Sequence, residues 1–375
     1  MSNNEEIVEE YVEEIVEETV FDDKFFEENY KPYENDNYDF DEAEIHYLDK
    51  TFVYTYKPYM CTKETVKTTL NTYGVAVIPN VLNKEEIRAM NDGMWDTLEL
   101  LTEKFETPIK RTNPYSWVSH ANLLPNRYML MQYWKIGHAQ YVWDVRQNEK
   151  LVDIWSTLWN CKNEDLITSF DGVSCHLPYG VGTYGYYNGS DWLHLDQSYL
   201  KKNFACVQGQ VVGNHVFPGD ATLTFLQGSH KYHSEVAEHF SLENEADWFV
   251  LEEQHLKFYL EKGCVQRCIT CPAGSLILWD SRTVHSGQEP FKSREKDNIR
   301  NVAYVCMMPK HHATEEVIQK RITAFENMQM TTHWATQGIL FPEQPRVYYR
   351  SDIPDVGEIS PPQLTELGRK LVGYE

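Results

Sequence analysis

Histidine and aspartate side chains in two parts of the chain could bind one metal ion together. His194 and Asp196 form a His-x-Asp pair in the run DWLHLDQS. Residues i and i+2 of a β-strand point to the same face, so both side chains could reach one ion. About ninety residues later, the apolar run GSLILW leads through a short turn to His285, which could add a second imidazole. These three residues are the candidate metal ligands.

A second His-x-acid pair competes with the first. In a chain with 14 histidines, about two such pairs are expected by chance, and the other pair is His233 and Glu235. His230, His233 and His239 could form a zinc cluster, but their spacing fits no common zinc signature. We expect these three to be polar surface histidines, in a segment that leads into a helix.

An arginine opens the next apolar run after the last candidate ligand. Arg300 stands fifteen residues after His285 and begins the segment RNVAYV. A guanidinium stays charged and can bind a carboxylate through two hydrogen bonds. The chain order is therefore His-x-Asp, then a lone histidine, then an arginine at the start of a β-like run.

This ordered set of segments resembles the phytanoyl-CoA dioxygenase-like family of iron(II)/2-oxoglutarate oxygenases. The matching pieces are WLHLDQS, GDATLTFLQGSHK, GSLILWDSRTVHSGQ and RNVAYVCMMP, with weaker likeness in YGVAVIPNVL and WDVRQNEKLVDIW. Together they extend from Tyr73 to Pro309. The resemblance implies a double-stranded β-helix, which is a form of jelly roll, and an enzyme that uses iron(II), 2-oxoglutarate and dioxygen.

The resemblance also implies roles for single residues. His194, Asp196 and His285 would hold the iron, and Arg300 would bind the far carboxylate of 2-oxoglutarate. The chemistry of the side chains agrees, because two neutral imidazoles and one carboxylate leave three open positions on the metal. Two of these can take the keto-acid group of 2-oxoglutarate, and the third can take dioxygen.

The chain departs from its relatives at two positions. Many relatives place the arginine where this chain has Lys296, eleven residues after the distal histidine. We therefore expect a longer turn before Arg300 and keep Arg294 as the second choice. Many relatives also carry Ser or Thr two residues after that histidine, where this chain has Gly287 with Ser286 beside it. That helper contact to the cosubstrate is not expected here.

The resemblance also favours a reaction. Oxidative decarboxylation of 2-oxoglutarate yields succinate, carbon dioxide and an oxidant strong enough to attack an unactivated C–H bond. Halogenases of this fold replace the carboxylate ligand with a small residue, whereas this chain keeps Asp196. We therefore expect a hydroxylation of a small molecule.

Three cysteines match the spacing of a radical-SAM cluster, C-x₃-C-x₂-C. They are Cys264, Cys268 and Cys271. The motif lies far from the N-terminus, no αβ repeat surrounds it, and Thr270 replaces the usual aromatic residue. We expect reduced cysteines in a core strand instead, because eight cysteines in 375 residues do not form a disulfide scaffold.

Further polar and aromatic residues could contact the substrate or the cosubstrate. Ser174 and His176 share one face of a predicted strand and are weak candidates. The aromatic residues before His194 could line a substrate entrance or only pack there; they are Tyr184, Tyr186, Tyr187 and Trp192.

The elements around these residues predict a mainly β fold with flanking helices. From about Leu166 to Pro309 the chain has short β-like runs broken by Gly, Pro and Asn, which is typical of a sandwich or barrel. The runs are 166–170, 205–212, 221–226, 265–271, 275–279 and 302–307, after an earlier short strand predicted at Tyr73–Pro79, where the proline ends it. Predicted helices follow the capping signature Asn83-x-x-Glu86 and cover 149–159, 313–328 and 362–371.

The charge is concentrated at the N-terminus. The whole chain has a net charge of −23, and residues 1–50 contain 19 acidic and 3 basic side chains. A four-residue repeat, EEIV-EEYV-EEIV-EETV, could form an amphipathic helix for a protein partner, but its glutamates repel one another at i,i+4. We expect 1–50 to be a disordered acidic tail, 51–312 to be the oxygenase domain with a jelly-roll core at 166–309, and 313–375 to be a helix and an irregular extension.

The sequence argues against several classes of partner and location. An acidic protein repels phosphate backbones, so nucleic-acid binding is not expected. No apolar stretch is long enough to span a membrane, and no cationic, apolar leader opens the sequence, so we expect a cytoplasmic protein. Two alternatives stay open: a non-catalytic interaction protein on this fold, and a metal-dependent cupin-like enzyme that does not use 2-oxoglutarate.

Overall fold

The computed structural model describes residue 40 and residues 42–178, 185–345 and 353–375. Within these ranges no helix has the length and apolar character needed to cross a bilayer. The repeat at 5–20, most of the acidic segment and Tyr184 lie outside the described residues, so the predictions made for them stay predictions.

Two mainly antiparallel sheets form the centre of the described chain. The seven-stranded sheet has the order β1-β2-β11-β9-β13-β7-β10, and the six-stranded sheet has the order β3-β12-β8-β14-β6-β4. A small third sheet pairs β15 with β5. The strands are β1 Ala43–Tyr47, β2 Lys50–Thr55, β3 Val75–Ile78, β4 Leu130–Met131, β5 Leu166–Thr168, β6 Val173–His176, β7 His194–Leu195, β8 Val207–Val212, β9 Thr222–Gln227, β10 Phe249–Val250, β11 Val265–Ile269, β12 Leu276–Asp280, β13 His285–Gln288, β14 Arg300–Val305 and β15 Met307–Pro309.

The strands alternate between the two sheets from β6 to β9 and again from β11 to β14. This alternation confirms the double-stranded β-helix expected from the sequence. The sheets face each other across one apolar cluster, in which Val212 and Ile277 of the six-stranded sheet pack with Leu223 and Phe225 of the other. Each of the six runs predicted as strands overlaps an observed strand.

The first four helices of the chain pack on one face of the six-stranded sheet, whereas the fifth and sixth pack against the seven-stranded sheet. The helices are α1 Val66–Tyr73, α2 Lys84–Leu101, α3 Gln140–Arg146, α4 Glu149–Trp159, α5 His233–Phe240, α6 Glu253–Glu261, α7 Glu315–Glu326 and α8 Glu366–Val372. The predicted capping box at Asn83 and Glu86 is present, with reciprocal hydrogen bonds of 2.7 and 2.9 Å, and such a cap is worth about 1 kcal/mol. Gly209 of β8 lets α4 approach closely, because a Cβ there would lie 3.0 Å from Trp155.

Ordered structure begins earlier than the sequence predicted. We expected order from about Thr51, but β1 pairs with β2 from Ala43 to Tyr54 and extends the seven-stranded sheet. Ile45 and Tyr47 pack against an aromatic cluster that contains Phe291, so part of the hairpin is held by the core. The sequence prediction failed here because the acidic composition of residues 1–50 outweighed the short β-like run at their end.

Candidate metal centre

Adjacent strands bring the two candidate histidine ligands together. His194 of β7 and His285 of β13 lie directly opposite each other in the antiparallel register, and their ring centroids are 4.5 Å apart. Asp196 follows two residues after His194 and so presents its carboxylate on the same side. Its Oδ2 lies 3.6 Å from His194 Nε2 and 3.3 Å from His285 Nε2. One potential ligand atom from each residue lies within 4.8 Å of the others.

The other ring nitrogen of each histidine is held by a backbone carbonyl. His194 Nδ1 lies 3.0 Å from the Trp192 oxygen, and His285 Nδ1 lies 2.9 Å from the Thr283 oxygen. A carbonyl can only accept, so each Nδ1 carries the hydrogen, and in the neutral imidazole the Nε2 keeps a free lone pair. This arrangement, with Nδ1–H fixed and Nε2 directed at a shared point, is typical of metal-binding histidines.

The electrostatics of the three groups also suit a metal ion. Burial alone would raise the pKa of Asp196, but charge and hydrogen bonds from His194 and His285 outweigh burial and hold that pKa well below its usual range. Burial, together with the neighbouring His194, lowers the pKa of His285. Asp196 is therefore ionised and His285 neutral near pH 7, and these are the forms that bind a divalent cation.

In the described parts of the chain, His194, Asp196 and His285 are the one group of three or more His, Cys, Asp or Glu side chains that could hold a metal ion. Two imidazoles and a carboxylate form the ligand set of non-haem iron(II) oxygenases, so the residues present fit the implied metal. The structure thus brings together the three ligands predicted from sequence, although iron binding by them stays a prediction.

The competing histidines do not converge, and the expectation that they lie on the surface was wrong for two of them. His230 and His233 are buried, with Nε2 of each next to a backbone oxygen, of Asn71 at 3.0 Å and of Gln197 at 3.3 Å respectively. His239 is exposed and packs against Phe258. The polar sequence around them concealed the fact that α5 is amphipathic.

Arg300 lies inside the barrel with neutral partners. Its Nε donates to Ser174 Oγ at 2.7 Å, Nη1 donates to the Ala221 carbonyl at 2.9 Å, and Nη2 donates to Gln210 Oε1 at 3.4 Å. The residue is only 6% exposed. It opens β14 opposite His176, whose pKa is held well below its usual range by burial and by positive charge, so that His176 is neutral.

Arg294, the second choice, has a different environment. It belongs to a turn rich in charged residues, yet its side chain is 2% exposed and its Nε lies 3.5 Å from the carboxylate of Asp220. It also donates to the backbone oxygens of Lys296 and Asn298. Because Arg294 already has an internal carboxylate partner, Arg300 is the better candidate for binding an external one.

The other candidates from the sequence divide between the site and the core. Trp192 stacks on His194 at 4.6 Å and donates to the Gly287 carbonyl, so it forms a wall of the metal site. Tyr187 instead packs with Phe52 and Phe291. Tyr186 contacts His176 edge-on at 5.8 Å.

The three clustered cysteines belong to the barrel wall, as predicted. Cys264, Cys268 and Cys271 are buried, and Cys268 lies within β11. Burial raises the pKa of Cys268 and of Cys271 to about 12, so neither thiol is ionised near neutral pH. Un-ionised, buried thiols of this kind are structural.

Two glutamines near the site were missed by the sequence reasoning. Gln208 Nε2 donates to Asp196 Oδ2 at 3.1 Å, and Gln210 contacts Arg300. Both lie on β8 and point into the barrel, two residues apart. Glutamines at alternate positions of the otherwise apolar run VQGQVV were the available signal, because a buried strand has no packing reason to carry them.

The fold and the His-Asp-His group together define a metal-dependent enzyme of the jelly-roll class. The sequence profile of the phytanoyl-CoA dioxygenase (PhyH) family matches residues 70–290, which is more than half of the chain. The chain therefore belongs to this family, as the sequence segments had indicated. Membership brings the dependence on iron(II), 2-oxoglutarate and dioxygen that characterises the class. The matched residues include His194, Asp196 and His285 but end before Arg300.

Individual relatives are more distant. Ava biosynthesis cluster protein O of Aspergillus versicolor is 29% identical over 278 residues, which cover 70% of this chain and 85% of that protein. A hypothetical protein of Escherichia coli superposes with a TM-score of 0.52 at 14% identity, covering 84% of this chain and 85% of that one. A protein described as an oxidoreductase of Salmonella typhimurium LT2 superposes with a TM-score of 0.50 at 13% identity, covering 83% of this chain and 82% of that one. The two solved structures support the fold alone.

Proposed function

We propose that this protein is an iron(II)/2-oxoglutarate-dependent dioxygenase that hydroxylates a small molecule and releases succinate and carbon dioxide. The observation that carries the proposal is the convergence of His194, Asp196 and His285, with both Nε2 atoms and one carboxylate oxygen directed at one point. Family membership supports the same class of reaction.

Each residue has a separate part in the proposal. His194, Asp196 and His285 would hold the iron, which when bound supplies the activation of dioxygen and the oxidising power. Arg300 would bind the far carboxylate of 2-oxoglutarate. Gln208 would hold the Asp196 carboxylate in place, because its hydrogen bond limits rotation of that group.

The chain also provides the surroundings of the reacting centre. Trp192 stacks on one side of the His194 ring, and Trp279 lies 5.3 Å from the His285 ring. These aromatic side chains exclude water from the inner side of the metal site. Trp248 is 58% exposed and lies 6.3 Å from His194, so the site opens toward solvent on that side, where a substrate could enter.

Hydroxylation is the form of the reaction that we favour. Asp196 supplies a third protein ligand, so no ligand position is vacated for a halide. The substrate would be a small molecule, because the site lies inside a barrel and not on an extended groove.

The test is an anaerobic titration of the full-length protein with iron(II) and 2-oxoglutarate, with detection of the weak visible charge-transfer band of the bound keto acid. We expect the band to appear in the wild type and to be lost in His285→Ala. A metabolite screen for succinate release would then identify the substrate.

Two outcomes would overturn the proposal. Iron binding without any 2-oxoglutarate-dependent band would favour a cupin-like metal enzyme that does not use this cosubstrate. Failure to bind iron in a folded protein would favour a non-catalytic interaction protein.

A further inference from the structure

Hydrogen-bond donors surround Arg300, and the structure does not use all of them. Ser174 Oγ accepts from Arg300 Nε, so its hydroxyl hydrogen can be directed at a ligand or at the neighbouring Tyr304 hydroxyl. Gln210 Oε1 accepts from Arg300 Nη2, while Gln210 Nε2 has no partner although the residue is only 1% exposed. A buried amide donor without an acceptor costs about 1–3 kcal/mol, so this group favours a ligand that accepts.

The sheet directs these donors to one place. β14 lies between β6 and β8, and in its register Ser174 is opposite Val302 while Gln210 is opposite Tyr304. The two side chains therefore approach Arg300 from both neighbouring strands. Tyr304, whose pKa is raised by burial, has its hydroxyl near Ser174 and Arg300 and adds another neutral donor.

On the opposite wall of the barrel, the position at which many relatives carry Ser or Thr is a glycine. Gly287 of β13 has no side chain, and a Cβ at this position would lie 2.8 Å from the Met129 methyl and 3.6 Å from Trp192. The space beside β13 is thus filled by apolar side chains. Gly287 therefore has no side-chain donor for an anion next to Arg300, whereas Ser174 and Gln210 of the six-stranded sheet each have one.

A carboxylate matches this arrangement. One buried guanidinium supplies a single positive charge, and the surrounding groups are neutral donors. A carboxylate has one negative charge and two oxygens with about four acceptor sites, so it can take a charged pair and two neutral hydrogen bonds at once.

We propose that Ser174 and Gln210 donate hydrogen bonds to the far carboxylate of 2-oxoglutarate, beside Arg300. This inference rests on the proposed function above and names two cosubstrate-binding residues in addition to Arg300. Ser174 and Gln210 then supply from the six-stranded sheet the contact that Gly287 does not supply.

The experiment measures the 2-oxoglutarate dissociation constant by calorimetry on the full chain, with manganese(II) in place of iron to prevent turnover. The variants are Ser174→Ala and Gln210→Leu, and Ser174→Thr keeps the hydroxyl as a rescue. A hydrogen bond to a charged group contributes about 1.5–3 kcal/mol, so each of the first two variants should weaken binding about 10- to 150-fold. Ser174→Thr should restore most of the affinity.

The matched ligand is 2-oxopentanoate, which has the same carbon chain and keto-acid end but no far carboxylate. We expect the wild type, Ser174→Ala and Gln210→Leu to bind it with nearly equal affinity. Equal losses for both ligands would instead show that the variants disturb the barrel in general, and the inference would be wrong.

The remaining outcomes separate this inference from the proposed function. If the wild type binds manganese but not 2-oxoglutarate, the proposed function fails. A different outcome is that the wild type binds 2-oxoglutarate and Arg300→Met lowers this affinity, while Ser174→Ala and Gln210→Leu leave it unchanged. In that case only the present inference fails.

Discussion

Two buried arginines of this protein are bound in contrasting ways. Arg321 of α7 lies outside the barrel, fully buried, and donates to the backbone oxygens of Ala335, Thr168, Leu371 and Val372 at 2.6–3.2 Å. Arg300 lies inside the barrel and donates to one backbone oxygen and to two side chains. Arg321 is enclosed by acceptors that cannot donate, whereas Arg300 is surrounded by groups that can.

The difference shows that burial of an arginine does not by itself mark a binding site. Arg146 of α3 is also fully buried and follows the Arg321 pattern, with its guanidinium bonded to the backbone oxygens of Gly137 and Asp171. Arg146 and Arg321 join parts of the chain that are distant in sequence. Arg146 and Arg321 also have an unpartnered Nε, but their hydrogen bonds go to backbone oxygens. Among these three arginines of the described residues, Arg300 differs in being bonded to two neutral side chains that can themselves donate to an anionic ligand.

The largest expected effect is on stability, at Arg321. Arg321→Met leaves four backbone carbonyls without their donor, and each buried unsatisfied group costs about 1–3 kcal/mol. We expect the free energy of unfolding to fall by about 4 kcal/mol or more, as measured by urea denaturation. The folded fraction should bind 2-oxoglutarate with unchanged affinity. A loss of affinity without a loss of stability would contradict the structural role assigned to Arg321.

At Arg300, the same substitution should have a smaller effect on stability and a large effect on 2-oxoglutarate affinity. Arg300→Met leaves one backbone carbonyl, that of Ala221, without its donor instead of four, and it removes a buried cation that has no carboxylate partner among the described residues, so we expect a smaller loss of stability of about 1–3 kcal/mol. The 2-oxoglutarate affinity should fall by about 2–5 kcal/mol, or roughly 30- to several-thousand-fold, because a charge-assisted contact to a buried carboxylate is lost. Manganese affinity, measured in the same calorimeter, is the control and should not change.

A comparison with Arg294 completes this test. Arg294→Met breaks the contact with Asp220 and should lower stability more than it lowers 2-oxoglutarate affinity. If Arg294→Met abolishes cosubstrate binding while Arg300→Met does not, the assignment of Arg300 is wrong.

The sequence predicted the fold and the candidate ligands because both are encoded locally. Alternating apolar runs fix the strands, and His-x-Asp on one strand needs only one neighbouring strand to complete the ligand set. The surroundings of Arg300 were harder to predict, because Ser174, Ala221 and Gln210 meet only through the order of strands in the sheet. The burial of Arg294 was missed because its partner, Asp220, is 74 positions away in the sequence.

A buried carboxyl, Glu289, extends the comparison from buried cations to a buried acid. This carboxyl is 4% exposed, and its charged neighbours are Arg127 and Asp191, with the Tyr187 hydroxyl also near. Burial raises the pKa of Glu289 to about 7. Since the folded-state pKa is above that of the unfolded chain, the stability contributed by this group is fully present below about pH 4.5 and is lost as pH rises through about 7.

Glu289→Gln should therefore become more stable relative to the wild type as pH increases. The difference in free energy of unfolding should change by about 3 kcal/mol between pH 4.5 and pH 8, from about 1.4 kcal/mol per pKa unit. The measurement is urea denaturation at several pH values, with the exposed Glu243→Gln as the control variant. A difference that is constant with pH would show that Glu289 has a partner that stabilises its charge.

The smallest expected effect separates the two glutamines of β8. Gln208 donates to Asp196 at 3.1 Å, whereas Gln210 lies beside Arg300, so the same substitution at each residue tests one end of the site. Gln208→Leu should lower manganese affinity about 10- to 100-fold, because a metal-binding carboxylate that loses its outer hydrogen bond is held less firmly. Gln210→Leu should leave manganese affinity unchanged and lower the affinity for 2-oxoglutarate. Both constants come from calorimetry on the same samples, so misfolding of either variant would be visible as a loss of both. If Gln208→Leu lowered only the affinity for 2-oxoglutarate, both glutamines of β8 would contribute to cosubstrate binding. The hydrogen bond to Asp196 would then have no part in metal binding.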